Sequence, residues 1–144
     1  MNILKLELTH FGKFHLKTIT FTSGLNIVYG KNEAGKSTIH AFVRSMLFGI
    51  PDTEEGNERY SHYLPWETPH DFCGRMWIKK DDKVYRIERN FLRPQPTVRV
   101  FDDETDESLQ PAKQHLRQIL SGLTETSYLN TICIEQLKSA TDPQ

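Results

Sequence analysis

Little in this sequence points towards a membrane, an oxidising compartment or a polyanionic partner. Only two cysteines occur, Cys73 and Cys133, far apart and in no C-x-x-C pair. That scarcity argues against a disulfide framework and fits a reducing cytoplasm. Long apolar runs are missing as well, and none approaches the ~20 residues of a bilayer span. The N-terminus alternates Leu4, Leu6 and Leu8 with Lys5 and Glu7 and is no signal peptide. Net charge is nearly absent: 18 basic against 19 acidic side chains leave -1. No global field therefore draws the chain to nucleic acid, and any such contact needs a local patch. There is no internal repeat and no low-complexity tract.

What is present fits one soluble core, since 144 residues suffice for one such unit and not for two ordinary domains. The alternation from Leu4 to Leu8 reads as a half-buried strand, followed by a turn at Phe11-Gly12-Lys13. Phe14 to Phe21 reads as a second strand, with Leu16, Ile19 and Phe21 as its apolar positions. Leu25 to Tyr29 suits a short buried central strand. Beyond it, Ile39, Phe42, Val43, Met46 and Leu47 follow the i, i+3, i+4, i+7, i+8 pattern of an amphipathic helix. Gly49 and Pro51 end that helix. From Asp52 to Phe72 periodicity is lost, and the segment reads as a long loop, first acidic and then aromatic. Its Tyr60, Tyr63, Trp66 and Phe72 read as side chains that pack this loop onto the sheet. Strands resume at Arg75–Lys79 and Lys83–Glu88 around an Asp81-Asp82 turn, with a third at Thr97–Phe101. Pro111 opens a helix with Leu116, Ile119 and Leu120 inward and Ser121-Gly122 at its end. Thr124 caps a last short helix, before the apolar run Ile132-Cys133-Ile134 leads to Gln136.

Between the Leu25–Tyr29 run and the helix lies Gly30-Lys31-Asn32-Glu33-Ala34-Gly35-Lys36-Ser37-Thr38, which satisfies G-x-x-x-x-G-K-S. The pattern alone is short enough to arise by chance, but a strand before it and a helix after it are the context that gives it meaning. A polyphosphate needs donors and cations held close. Backbone N–H groups of such a loop and the positive end of the helix dipole supply them. Gly30 allows the tight turn, and Gly35 has no Cβ to hold the phosphates off. Lys36 would meet the β- and γ-phosphates, Ser37 would ligate Mg²⁺, and Thr38 would add a donor near the α-phosphate. Glu33 would point away from the anion, and spacing does not explain its presence.

With those residues in place, the chain resembles the ABC-type ATPases of the SMC, SbcC and RecF group, and within it the bacterial YhaN-like branch. The likeness is carried by Phe11-Gly12-Lys13-Phe14, by Gly24 to Thr38 including Glu33, and by Leu47-Phe48-Gly49. Arg59-Tyr60, Pro65-Trp66 and Tyr85-Arg86-Ile87-Glu88-Arg89 add to it. The resemblance implies an α/β fold: the N-terminal lobe of a P-loop ATPase head spanning residues 1–144, with a central sheet, one P-loop helix and an antiparallel β-rich layer. It also implies that Gln136 is the Q-loop glutamine, touching Mg²⁺ and the attacking water, and that Lys13 lies near the nucleotide. ATP and Mg²⁺ would be the cofactors. The partners it implies are the C-terminal lobe of the same head, a second head, DNA and a nuclease subunit.

The group's Walker B carboxylates, signature motif and switch histidine come from beyond a coiled coil. Asp81-Asp82 and Asp102-Asp103 sit in polar turns and do not replace them. The expectation is therefore weak nucleotide binding and negligible hydrolysis by this chain alone. A small P-loop kinase is disfavoured by the strand-rich segment after the helix, and a GTPase by the lack of N-K-x-D. A stand-alone nucleotide-sensing or interaction module is the non-enzymatic alternative. His62, His70 and Cys73 lack a fourth partner and are not read as zinc ligands. The basic series Arg75, Lys79, Lys80, Lys83, Arg86, Arg89, Arg93 and Arg99 is either a solvated face or, as in related heads, a surface for DNA phosphates.

Overall fold

The computed structural model describes residues 2–21 and 33–130, with the backbone alone for 33–36 and 128–130. The expected strand Leu25–Tyr29 and the run Ile132-Cys133-Ile134 lie outside them.

Six strands form one antiparallel sheet among the described residues. They are β1 (Asn2–Phe11), β2 (Phe14–Thr20), β3 (Cys73–Lys80), β4 (Lys83–Asn90), β5 (Thr97–Asp102) and β6 (Glu107–Leu109). Their order is β2-β1-β3-β4-β5-β6, so β3, the next described strand along the chain, lies beside β1 and not beside β2. Between β2 and β3 in the chain come helices α1 (Glu33–Phe48) and α2 (Glu54–Tyr63), while α3 (Ala112–Leu120) and α4 (Glu125–Asn130) follow the sheet.

The mixed α/β reading therefore holds, with the sheet of the described residues entirely antiparallel. Two turns take their type from residues in the left-handed region. In the two-residue turn of the first hairpin Gly12 has positive φ (+60°) and Lys13 does not, the type II′ pattern. In the β3–β4 hairpin both Asp81 and Asp82 do (52° and 65°), the type I′ pattern for which aspartate is suited.

Helix α1 lies across β1, β3 and β4. Its predicted face is wholly inside: Ile39, Phe42, Val43, Met46 and Leu47 are all buried. The seat is Gly74 of β3. A Cβ built there would fall 2.3 Å and 2.5 Å from the Phe42 ring and 3.0 Å from the Glu7 carbonyl oxygen, so only glycine admits the helix at this depth. The far end of α1 is closed by Gly49, whose N–H donates to the Ser45 carbonyl (2.8 Å) at φ +79°. Arg89 of β4 adds its Nε to the Met46 carbonyl at 2.6 Å. Burial lowers the Arg89 guanidinium to about 10. It still stays charged at neutral pH, which suits the negative end of the helix dipole.

Four expectations need correction. The stretch from Asp52 to Phe72 is not a loop throughout, because α2 occupies its first half. Thr53 Oγ1 accepts from the Gly56 N–H (3.0 Å) as a true N-cap, and Glu54 and Glu55 occupy the first turn. The inner face of α2 is Gly56, Arg59, Tyr60 and Tyr63, a helical spacing hidden because two of the four are not apolar. Trp66 does not pack: it is 83% exposed, since the adjacent Pro65 takes the inward place. Tyr60, Tyr63 and Phe72 do pack against the core. Leu16 is 63% exposed, because its φ of 52° breaks the pleat of edge strand β2 and turns it outward, while Ile19 and Phe21 are buried. In β1 the buried set is Ile3, Leu6 and Leu8 rather than Leu4, with a register shift between Ile3 and Lys5.

The glycine seat leads to a paired prediction. Gly74→Ala should cost about 2–3 kcal/mol through overpacking against Phe42. Gly122→Ala, at φ +76° with nothing within 4 Å of the new methyl, should cost only about 1 kcal/mol of backbone strain. Urea unfolding of the two variants measures the difference.

Candidate nucleotide-binding site

The first turn of α1 consists of Glu33, Ala34, Gly35 and Lys36, so the helix begins inside the glycine-lysine motif rather than after Thr38. Glutamate, alanine and lysine are all good helix formers, in keeping with that earlier start. Gly30, Asn32 and Gln136 lie outside the described residues. Ser37 is exposed and Thr38 is buried, at 5% exposure.

Three elements meet at this end of α1. Gly12, in the β1–β2 turn, donates its N–H to the Tyr63 carbonyl at 2.6 Å. A Cβ on Gly12 would lie 3.3 Å from the Tyr63 ring and 3.5 Å from the Thr38 methyl. The turn thus fits closely between α2 and α1. The Tyr63 ring stacks on Phe11 (centroids 5.2 Å apart, planes 21°), and its hydroxyl reaches the Ser37 carbonyl at 3.4 Å. Burial raises the Tyr63 phenol, opposed by the nearby Arg59. The phenol stays neutral and able to donate. Lys13 is exposed and follows Gly12 in the same turn. Sequence reasoning missed Tyr63 as a member of this junction. Its place as the fourth inward position of α2, after Gly56, Arg59 and Tyr60, was the available signal.

On the neighbouring face of α1, two arginines and two glutamates tie three helices together. Arg44 donates to Glu125 of α4 and to Glu55 of α2 (3.2 Å to the latter). Arg59, only 6% exposed, donates to the Ser45 hydroxyl at 3.3 Å and faces Glu55. Burial, and then the adjacent Arg44, holds Arg59 below the ordinary arginine value.

The basic series from Arg75 to Arg99 is largely engaged within the chain. Arg75 pairs with Glu7 and Glu88, and Lys83 with Asp102. Arg86 binds Glu88, Asp103 and Asp106 at 2.8, 2.9 and 2.6 Å. Lys80 donates to the last carbonyls of α3, Arg93 reaches the Pro51 carbonyl, and Arg99 lies over Phe101. The arrangement favours the internally neutralised face over a phosphate-tracking surface. His62 packs edge-on against Tyr63, while Cys73 stands on β3. No group of three or more His, Cys, Asp or Glu suited to a metal ion occurs among the described residues. No helix among them is long and apolar enough to cross a membrane.

Comparison with known proteins supplies the class of this helix-on-sheet arrangement. The AAA domain family matches residues 1–139, and the chain belongs to that family, in its SMC- and Rad50-like head form. It is 43% identical over 56 residues to the uncharacterized protein YhaN of Bacillus subtilis (strain 168). That match covers 38% of this chain and 6% of the relative. It is 26% identical over 146 aligned positions to the DNA double-strand break repair Rad50 ATPase of Thermococcus kodakarensis, covering 94% of this chain and 15% of that one. The chain therefore spans a small fraction of either relative's length.

The junction predicts a graded response. Tyr63→Ala should destabilise the chain by about 2–4 kcal/mol, the range for removing a packed aromatic. Tyr63→Phe, which keeps the stack and loses only a long 3.4 Å contact, should cost under about 1 kcal/mol. Chemical denaturation of both variants reads the difference.

Proposed function

We propose that this chain is the ATP- and Mg²⁺-binding N-terminal lobe of an ABC-type ATPase head, with hydrolysis dependent on a C-terminal lobe. The reading rests on the G-x-x-x-x-G-K-S sequence of Gly30–Ser37, of which Glu33 to Ser37 lie in α1, a helix whose inner face is buried and whose far end is capped. Unpaired N–H groups at the start of such a helix favour an anion, and the fixed far end keeps them in place. Gly30, Asn32, Glu33, Ala34, Gly35 and Lys36 form the cradle in this reading, with Lys36 on the terminal phosphates. Ser37 and Gln136 hold Mg²⁺, Gln136 also orients the attacking water, and Thr38 and Lys13 add contacts to the nucleotide.

The likeness to a repair ATPase extends the reading to the whole assembly. Two heads would sandwich two ATP molecules, and nucleotide state would set head engagement. DNA and a nuclease subunit would then be partners of the joined heads rather than of this lobe's basic series.

Titration of a fluorescent ATP analogue with Mg²⁺ tests the site. Lys36→Ala should weaken binding at least about tenfold, which is about 1.4 kcal/mol. The isolated chain should hydrolyse ATP no faster than buffer, and turnover should appear on adding the C-terminal lobe. Equal affinity in Lys36→Ala would reject the site. Turnover by the isolated chain that Lys36→Ala abolishes would reject the dependence on a second lobe.

A further inference from the structure

The β1–β2 hairpin places two histidines in a relation that the nucleotide reading does not use. Phe11 and Phe14 flank the two-residue turn, and His10 pairs with His15 one step further from it. In such a hairpin the flanking pair is the hydrogen-bonded one. The next pair is then of the non-hydrogen-bonded kind, whose side chains stand closest. The two rings meet with centroids 4.5 Å apart and a 53° tilt, and their Nδ1 atoms are hydrogen-bonded at 3.0 Å, a shared proton that a bound cation would replace. Register rather than chance rotamers brings them together.

Two imidazole nitrogens at this separation are well placed to share a cation. A metal about 2.1 Å from each nitrogen would see them at roughly 90°, the cis angle of a tetragonal or octahedral site and well below the tetrahedral value. His10 is partly buried and so held in place, whereas His15 is exposed and leaves an open approach. The pair borders a cavity of about 340 Å³ that Lys13, Trp66 and Glu67 also line. Cys73 is the register neighbour of His10 on the other side. No third ligand completes a cluster among the described residues, so water would fill the remaining positions.

We propose that His10 and His15 form a two-imidazole site for a late divalent transition metal of tetragonal preference, Ni²⁺ or Cu²⁺. The bound ion would cross-link edge strand β2 to β1 and stiffen the turn that carries Lys13. The site uses atoms other than those assigned to the nucleotide, and its metal binding is read without nucleotide present.

The test is calorimetric titration of Ni²⁺ alone into the untagged, full 144-residue chain near neutral pH, with thermal melting in parallel. One saturable equivalent and a raised melting temperature are expected, with Ni²⁺ bound more tightly than Zn²⁺. His10→Gln and His15→Gln should each weaken binding at least about tenfold, while Cys73→Ala changes it by less than about twofold. Because His15 is exposed, His15→Gln should fold normally by circular dichroism, so the test does not depend on the His10 variant. Absence of saturable binding, or unchanged binding in His15→Gln, would overturn the site. Tighter Zn²⁺ than Ni²⁺ would overturn its tetragonal geometry.

Discussion

The depth at which α1 sits on the sheet is the constraint from which the rest of this structure follows. At Gly74 the sheet offers no side chain, and the Phe42 ring takes the vacated space. That close approach gathers Phe11, Phe42, Phe72 and Phe91 into one cluster, with ring centroids from 5.1 to 5.7 Å apart and mostly tilted or edge-on. Such pairs add about 0.5–1.5 kcal/mol each beyond the area they bury. A helix held further off would lose the Phe42 contact to Phe11. It would also lose the fit of Gly12 against Thr38 and the reach of Arg89 to the helix end.

Charge is spent inward in this chain. Arg89 serves carbonyls at the end of α1, Lys80 those at the end of α3, and Arg93 the carbonyl of Pro51. Arg86 satisfies three carboxylates on the face of the sheet away from α1, where Lys5 also covers Trp77 at 4.1 Å. A sequence count of eight cations between Arg75 and Arg99 suggests an anion surface. Their partners instead make them fasteners between strands, helices and turns. Within this series Arg75, Lys83 and Arg86 stand in ion pairs, so the count of cations overstates the charge left for an outside anion.

How much of this was legible in the sequence depended on whether an element's inner face is apolar. Helix α1 announced itself through Ile39, Phe42, Val43, Met46 and Leu47, and its glycine stop at Gly49 has the expected left-handed backbone. The aspartate pair at 81–82 and the Thr124 cap, which accepts from the Ser127 N–H at 3.1 Å, were equally local signals. Helix α2 escaped because Gly56 and Arg59 occupy inward positions that a hydrophobicity pattern passes over. Arg59 is there because Ser45, Glu55 and Glu125 surround it, and they come from three different helices. Leu16 and Trp66 failed for the opposite reason: an apolar side chain predicts burial only where the backbone directs it inward. Of the candidate site, the motif and the helix were readable, whereas the junction of Gly12, Tyr63 and Thr38 is tertiary and leaves no local trace.

That junction bears on how a phosphate site at the start of α1 would work. The helix is fixed at its middle by Phe42 on Gly74, at its far end by Arg89 and Gly49, and near its start by Tyr63 and the β1–β2 turn. A helix so held cannot slide along its axis to meet a ligand without breaking at least one of these contacts. Its free N–H groups would therefore have to be in position before the anion arrives, which lowers the ordering cost of binding. Among the described residues, adjustment on binding would then fall to the β1–β2 hairpin, whose edge strand β2 is the least covered of the sheet. Since Gly12 is hydrogen-bonded to Tyr63 and lies against Thr38, motion of that hairpin would be felt at the first turn of α1. The hairpin is thus in physical continuity with the start of α1 through Gly12, Tyr63 and Thr38.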